Sequence, residues 1–322
     1  MKKLLFLFFS LTCFVCTAQK KMNIYFLKDD GHYVDKRDSA NYIRIVTEPD
    51  SGSKLYNVAG YYLDSKKKSV GRSSKIDPPE YEGTRIEYFK NGKKEQIANY
   101  SNGTKVDDEF DFYPNGKLYL SLKRKAVTSV EDNSVNEYLI MANFDSTGVA
   151  SVVDGNGSFK IYDEHFKKVI ESGTVKNGKH DGSCSGAEND GRWQYKEQYQ
   201  DGTLVSGSMT DDKGITTTYQ SRMTMPQFKG GLKAFYRYLG ARIIYPSDER
   251  EKNIQGTVVI GFVVEKDGKL SDFMILNSVS SGLDNEALRV MRNCSLWIPG
   301  TEFGRNVRVH YQIPINFSLT EN

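Results

Sequence analysis

Gly182-Ser183-Cys184-Ser185-Gly186 has the G-x-C-x-G spacing of a nucleophile elbow, in which a thiol on a sharp turn attacks an acyl carbon. That chemistry needs a strand before the turn, a helix after it, and histidine and acid partners. The following Ala187, Glu188, Asn189, Asp190 and Gly191 read as turn, so Cys184 is not expected to act as a nucleophile. Asp154-Gly155-Asn156 starts like a calcium loop, but Phe159 stands sixth instead of glycine and no glutamate stands twelfth. His32, His165, His180 and His310 are isolated, with no metal-ligand spacing among them. Neither a G-x-G-x-x-G fingerprint nor a phosphate-binding loop occurs. The residues predict no active site, no metal and no cofactor. The chain is expected not to be an enzyme.

Composition agrees with a binding protein rich in sheet. Among 322 residues, 20 Tyr and 17 Phe stand against four His and four Cys, and the net charge is +3. So small a basic excess excludes a strong nucleic-acid reading, because a phosphate backbone needs cations to neutralise it. Lys2 and Lys3 precede an apolar run from Leu4 to Val15, and Cys16-Thr17-Ala18 follows. That pattern predicts a secretory signal peptide over residues 1–18, cleaved after Ala18, since the run is too short for a spanning helix of about 20 residues. Cys13 and Cys16 lie in the discarded segment. With Lys2 and Lys3 gone, 42 of the 44 basic residues face 41 acidic ones, a net charge of +1. An exported, periplasmic protein is expected. Cys184 and Cys294 remain, and two separate buried thiols are preferred over a disulfide.

From residue 81 to 207, short aromatic segments alternate with Asn91-Gly92, Asn102-Gly103, Asn115-Gly116, Asn177-Gly178 and Asp201-Gly202. Asn-Gly and Asp-Gly accept the positive φ angles of a type I′ hairpin turn. The spacing predicts a meander whose hairpins stack aromatic faces on their neighbours. Residues 83–93 (GTRIEYFKNGK) and 177–182 (NGKHDG) resemble the degenerate MORN-type repeats of YwqK-like modules. The resemblance implies a repeat scaffold for protein or surface contacts, with no chemistry of its own.

The last hundred residues change period. Leu232, Phe235, Tyr236 and Leu239 form the i, i+3, i+4, i+7 stripe of an amphipathic helix, which Gly240 can end. Tyr245-Pro246 opens a short charged helix over 247–253. Residues 257–264 are apolar on both alternating faces and predict a covered strand inside a sheet. Lys266-Asp267-Gly268-Lys269 turns into a second strand over 270–277. A helix over 283–293 buries Leu283, Ala287, Leu288, Met291 and Cys294, and the stretch from Trp297 to Gly300 breaks it. In 307–317, Val307, Val309, Tyr311, Ile313, Ile315 and Phe317 share one face. Pro314 lacks an N–H, which puts this strand at a sheet edge. The fold expected is α+β overall: an N-terminal all-β meander of repeat hairpins, then a three-stranded antiparallel sheet with two helices on one face. The domains expected are 19–222 and 223–322.

Residues 225–319 resemble the TonB C-terminal domain family. The match is carried by Met225-Pro226, Phe228, Gly230-Gly231, Tyr245-Pro246, Gln255-Gly256, Val263-Val264, Asp267-Gly268, Leu283-Asp284, the run Glu286 to Arg289, Trp297, Pro299-Gly300 and Pro314-Ile315 with Phe317. The resemblance implies a periplasmic domain that binds the TonB box of outer-membrane TonB-dependent transporters beside its last strand, in support of transmembrane transport. Strand addition takes affinity from backbone hydrogen bonds and selectivity from alternate side chains. The partner-binding residues expected are Arg242, Tyr245, Pro246, Arg308, His310, Gln312, Ile313 and Ile315. For Tyr245, Trp297 and Phe317, core packing is the preferred role. A full energy transducer keeps an N-terminal membrane helix for the ExbB–ExbD motor and a Pro-rich spacer. This chain is expected to carry a cleaved signal peptide in place of that helix and has only eight prolines, so direct force transmission is not expected. The alternative is a non-transducing scaffold or self-associating module, with a second envelope protein on the repeat region or a homodimer.

Overall fold

Asn102 and Gly103 both adopt positive φ, 49° and 75°, and close a two-residue turn between Ser101 and Thr104. Asn177-Gly178, Asp201-Gly202 and Asp154-Gly155 do the same. Such type I′ turns match the right-handed twist of the strands they join. Asn91-Gly92 and Asn115-Gly116 differ: only the glycines have positive φ, and each turn is one residue longer. There the N–H of Gly92 donates to Phe89 O, and that of Gly116 to Tyr113 O. Pro114 explains the second case, because its fixed φ suits the first central position of a type I turn. The identical Asn-Gly pairs therefore serve two turn types.

The computed structural model describes residues 20–124, 138–188, 190–295 and 297–319. The expected signal peptide, with Cys13 and Cys16, lies outside the described residues. The fold is α+β, mostly antiparallel strands with three α-helices among the described residues. Two compact units divide the chain, Met1–Gly157 and Ser158–Asn322.

In the first unit each strand pairs with the next. Tyr42–Thr47, Tyr56–Tyr62, Lys67–Ser73, Tyr81–Tyr88, Lys94–Ser101, Thr104–Phe112, Leu118–Arg124 and Tyr138–Phe144 form a meander. Val46, Val58, Ala98, Leu120, Leu122 and Ile140 are buried along one face. Aromatic neighbours meet as expected: Tyr113 and Tyr119 lie 4.9 Å apart by ring centroids. Glu109 is also buried, 3 % exposed, and is held by Lys105 and Arg124. A charge so placed survives only when paired and hydrogen-bonded.

The second unit holds a meander of its own, Val169–Lys176, Lys179–Glu188, Trp193–Gln200, Thr203–Thr210 and Thr216–Tyr219. It then builds a smaller sheet in which Gly256–Val264 lies between Leu270–Asn277 and Val309–Phe317. Helices α1 (Gly231–Arg242) and α3 (Ser281–Arg292) cover one face, and α2 (Ser247–Glu251) is shorter than the 247–253 expected. Phe235 and Leu239 of α1, Leu283, Ala287, Val290 and Met291 of α3, and Val258, Ile260 and Phe262 of the central strand form its core. Each of these side chains other than Ala287 contributes about 1.5–3 kcal/mol by leaving water. Ser280 caps α3 through its hydroxyl, which accepts from Leu283 N.

Three details differ from the periodicity. Only half of the α1 stripe is buried: Leu232 and Tyr236 are 57 % and 51 % exposed, because α1 meets the core along a narrower line than four residues span. In α3, Val290 is buried and Leu288 only partly so. The last strand is broken at Arg308, where 305–307 pairs with Gly300–Glu302 and Val309–Phe317 joins the sheet.

Candidate functional site

Val309–Phe317 pairs with the central strand over its whole length, from Val264↔Val309 to Gly256↔Phe317. No strand pairs with its other side among the described residues. Alternation anchors it: Ile313, Ile315 and Phe317 are 3 %, 1 % and 3 % exposed, while His310, Gln312, Pro314 and Asn316 are exposed. Pro314 stands opposite Val259. Residues in an antiparallel pair alternate between hydrogen-bonded and non-hydrogen-bonded positions. A proline has no N–H to give the ladder, so Pro314 fits the non-bonded kind. By the same alternation, His310, Gln312 and Asn316 turn their N–H groups away from the central strand.

The sequence-predicted partner residues occupy different surroundings. The side chains of Ile313 and Ile315 are core, and the alternation turns their N–H and C=O groups to the central strand, so what they give a partner is a fixed register and not a direct contact. His310 and Gln312 stand exposed on the strand. Arg308 is tied to carboxylates of the same sheet, with Nε donating to Glu265 at 2.9 Å and the guanidinium paired to Asp272. Tyr245 packs edge-on against Phe317 at 5.9 Å and donates its hydroxyl to Ile254 O, a packing role that also matches the preferred reading. Trp297 likewise packs, on Phe262 and Tyr311. Pro246 precedes α2 as its N-cap.

Arg242 is exposed at the end of α1, its guanidinium 4.6 Å from the Tyr238 ring centre. The backbone beside it is pinned by two residues the sequence reading did not single out for this task. Glu286 accepts from Ile244 N at 2.6 Å and from Nε and Nη2 of Arg289 at 2.7 Å each, and Arg289 Nη2 also donates to Arg242 O. Those Arg289 hydrogen bonds outweigh burial and hold the Glu286 carboxyl below its usual range.

A second missed feature joins the small sheet to the meander strands of the same unit. Phe303 is 7 % exposed, sits 5.4 Å from Tyr219 and 6.2 Å from Tyr195, and donates its N–H to Arg222 O at 2.7 Å. Its carbonyl accepts from Thr217 Oγ1. Arg305 adds an ion pair to Asp211 at 2.9 Å. A lone aromatic in a Glu-Phe-Gly turn carries no periodic signal that could have revealed this.

Cys184 lies inside the strand Lys179–Glu188 and not on a strand-to-helix turn. Gly186 serves packing: a Cβ there would stand 2.2 Å from the Tyr195 hydroxyl. Burial, with the Glu171 charge beside it, pushes the Cys184 thiol well above its ordinary range, the opposite of an activated nucleophile. Cys184 and Cys294 are separate buried thiols. His180 is not isolated in space, however, because its ring nitrogen meets Glu171 and Cys184.

Residues 241–319 match the family model described as Gram-negative bacterial TonB protein C-terminal. Two solved structures are similar, both NMR solution structures of the Helicobacter pylori TonB-CTD. The one spanning its residues 179–285 shares 22 % identity, covers 28 % of this chain and 82 % of that one, and has a TM-score of 0.23. The one spanning 194–285 shares 24 % identity, covers 28 % and 96 %, and has a TM-score of 0.24. No curated protein matches the chain. Among the described residues, no helix is long and apolar enough to cross a membrane.

Proposed function

We propose, on the premise that residues 241–319 are a TonB C-terminal domain, that the outer side of Val309–Phe317 receives an extended segment of an outer-membrane TonB-dependent transporter. The family is one of interaction and energy-transduction domains, found in the periplasm or associated with the envelope. The observation that carries the reading is the unpaired side of a strand whose inward side chains, Ile313, Ile315 and Phe317, are locked in the core. An edge so anchored does not shift register when a partner strand docks.

The added strand would take N–H groups from His310, Gln312 and Asn316 and offer its own to the carbonyls of those same residues and of Pro314. Pro314 leaves one donor missing, which disfavours a long uninterrupted ladder and shortens the preferred partner segment. Arg308, committed to Glu265 and Asp272, orders the start of the strand and is not the primary contact. Arg242 and Tyr245 act by shaping the neighbouring backbone. The meander is proposed as a docking scaffold for a second envelope protein. One face of it in the second unit forms a trough of about 1100 Å³ lined by Ser172, Ser185, Lys196, Gln198 and Thr218.

The test is site-specific photocrosslinking in cells with probes at His310 and Gln312. Recovery of TonB-dependent transporters is the expected result. Crosslinks only between copies of the chain would replace the reading with self-association through the same edge. Purified full chain should also bind TonB-box peptides more tightly than scrambled peptides of equal β propensity; equal binding would remove the transporter specificity.

A further inference from the structure

Glu171, His180 and Cys184 converge on one point of the meander, and each offers one donor atom of a different element. Cys184 Sγ is 3.2 Å from Glu171 Oε1, His180 Nε2 is 3.5 Å from the same oxygen, and all three donors lie within 4.8 Å of one another. The residues belong to Val169–Lys176 and Lys179–Glu188, which the two-residue turn Asn177-Gly178 joins. Register sets the arrangement: Gly173 faces Cys184 and Val175 faces His180, with a bulge between them. The donors therefore stand on a rigid hairpin and not on loops.

Three observations point from this cluster to a cation. First, His180 Nε2 is buried and makes no hydrogen bond, although Glu171 is within ion-pair range. Buried polar atoms almost always have a partner, and an ion is one accepted explanation for an exception. Second, packing aims the ring: Phe159 lies edge-on at 5.1 Å, and the Tyr199 ring is tilted against it at 5.0 Å. Third, the nearby Arg222 does not consume Glu171. It is held by Glu197 through two hydrogen bonds of 2.8 and 2.6 Å, against 3.7 Å to Glu171.

We propose that Glu171 Oε1, His180 Nε2 and Cys184 Sγ form a binding site for one Zn²⁺ ion, with a fourth position left to water. Zinc takes nitrogen and oxygen at about 2.0 Å and thiolate sulfur at about 2.3 Å in a tetrahedron, which puts donors about 3.3–3.6 Å apart. The two separations of 3.2 and 3.5 Å already fall near those edges. A carboxylate and a thiolate together balance the dication, and a mixed N, O and S set suits zinc better than the hard cations, which take oxygen alone. Binding replaces the Cys184 S–H proton, which passes to solvent as the thiolate–metal bond forms. The ion would staple two strands whose neighbour, Trp193–Gln200, carries Glu197, and so brace the Arg222 contact that leads into the small sheet.

Cobalt(II) titration of the metal-free full chain, read by absorption, tests the site. One equivalent of Co²⁺ should give tetrahedral d–d bands and a thiolate-to-cobalt charge-transfer band, both removed by Zn²⁺. Cys184→Ala should abolish the charge-transfer band, His180→Gln should weaken binding by about tenfold or more, and Cys294→Ala should leave both unchanged. Absence of a charge-transfer band, its survival in Cys184→Ala, or its loss only in Cys294→Ala would overturn the proposal. X-ray absorption of the zinc-loaded wild-type chain keeps the question decidable if a variant fails to fold. One sulfur with nitrogen and oxygen neighbours supports the site, and a shell of nitrogen and oxygen alone refutes it.

Discussion

Arg222 grips Glu197 with two parallel hydrogen bonds, Nε to Oε1 at 2.8 Å and Nη2 to Oε2 at 2.6 Å. The carboxylate is fully buried and also accepts from the hydroxyls of Tyr219 and Tyr199, at 2.8 and 3.0 Å. Arg222 is the residue whose carbonyl receives the Phe303 N–H. One charge pair thus sits where the last meander strands give way to the small sheet.

Glu197→Gln is expected to destabilise the second unit by about 3 kcal/mol, the low end for breaking a buried pair, because Arg222 keeps 37 % of its side-chain surface in water. Chemical denaturation measures it. Adding Arg222→Met should recover part of the loss, since the orphaned cation is then gone; a double variant less stable than both singles would contradict the pairing.

Phe303→Ala should cost about 3 kcal/mol, the usual toll for removing a buried phenyl ring. Loss of stability should come with increased amide exchange at position 303, whose N–H donates to Arg222 O. Unchanged exchange there would mean that the ring fills space without holding the junction.

Asp111 gives the first unit a pH dependence. Burial above all, with a contribution from the Glu109 charge and against the hydrogen bond from Gln96, raises its carboxyl from 3.8 to about 6. A folded-state value above the unfolded one means that the native chain binds the extra proton. The contribution is therefore fully present below about pH 4 and lost as pH rises through 6. Asp111→Asn should raise stability at pH 7–8 by about 1–3 kcal/mol and have no effect near pH 3.5. Melting curves across that range test the sign; a stabilisation that grows toward acid would refute it.

Two proline substitutions read the parity of the last strand. Gln312→Pro removes an N–H turned away from the central strand, so stability should change by about 1 kcal/mol or less while peptide binding falls. Ile313→Pro removes a ladder donor and should cost about 3 kcal/mol or more. Equal destabilisation by both would show that the outward donors are assigned to the wrong alternate residues.

Much of this molecule was legible in local pattern. Alternation from Val309 to Phe317 identified the buried face, Pro314 marked the strand as an edge, and the 3.6-residue period located α3 within two residues of its observed start. Asn-Gly and Asp-Gly pairs marked every hairpin they were expected to mark, although not which turn type each adopts. These are properties of a chain read a few residues at a time, where backbone geometry and burial period act directly.

What only the tertiary structure decided depends on residues distant in sequence arriving side by side. Phe303 wedges against Tyr195 and Tyr219, more than 80 positions earlier. Arg308, expected to greet a partner, is held by Glu265 and Asp272. His180, alone by spacing, joins Glu171 and Cys184 because strand register and a bulge turn all three to one face. The amino-acid order sets which face each side chain takes along its own strand. Register, bulges and the docking of one sheet on another then set which charges, rings and donor atoms meet, and those relations have no period to read.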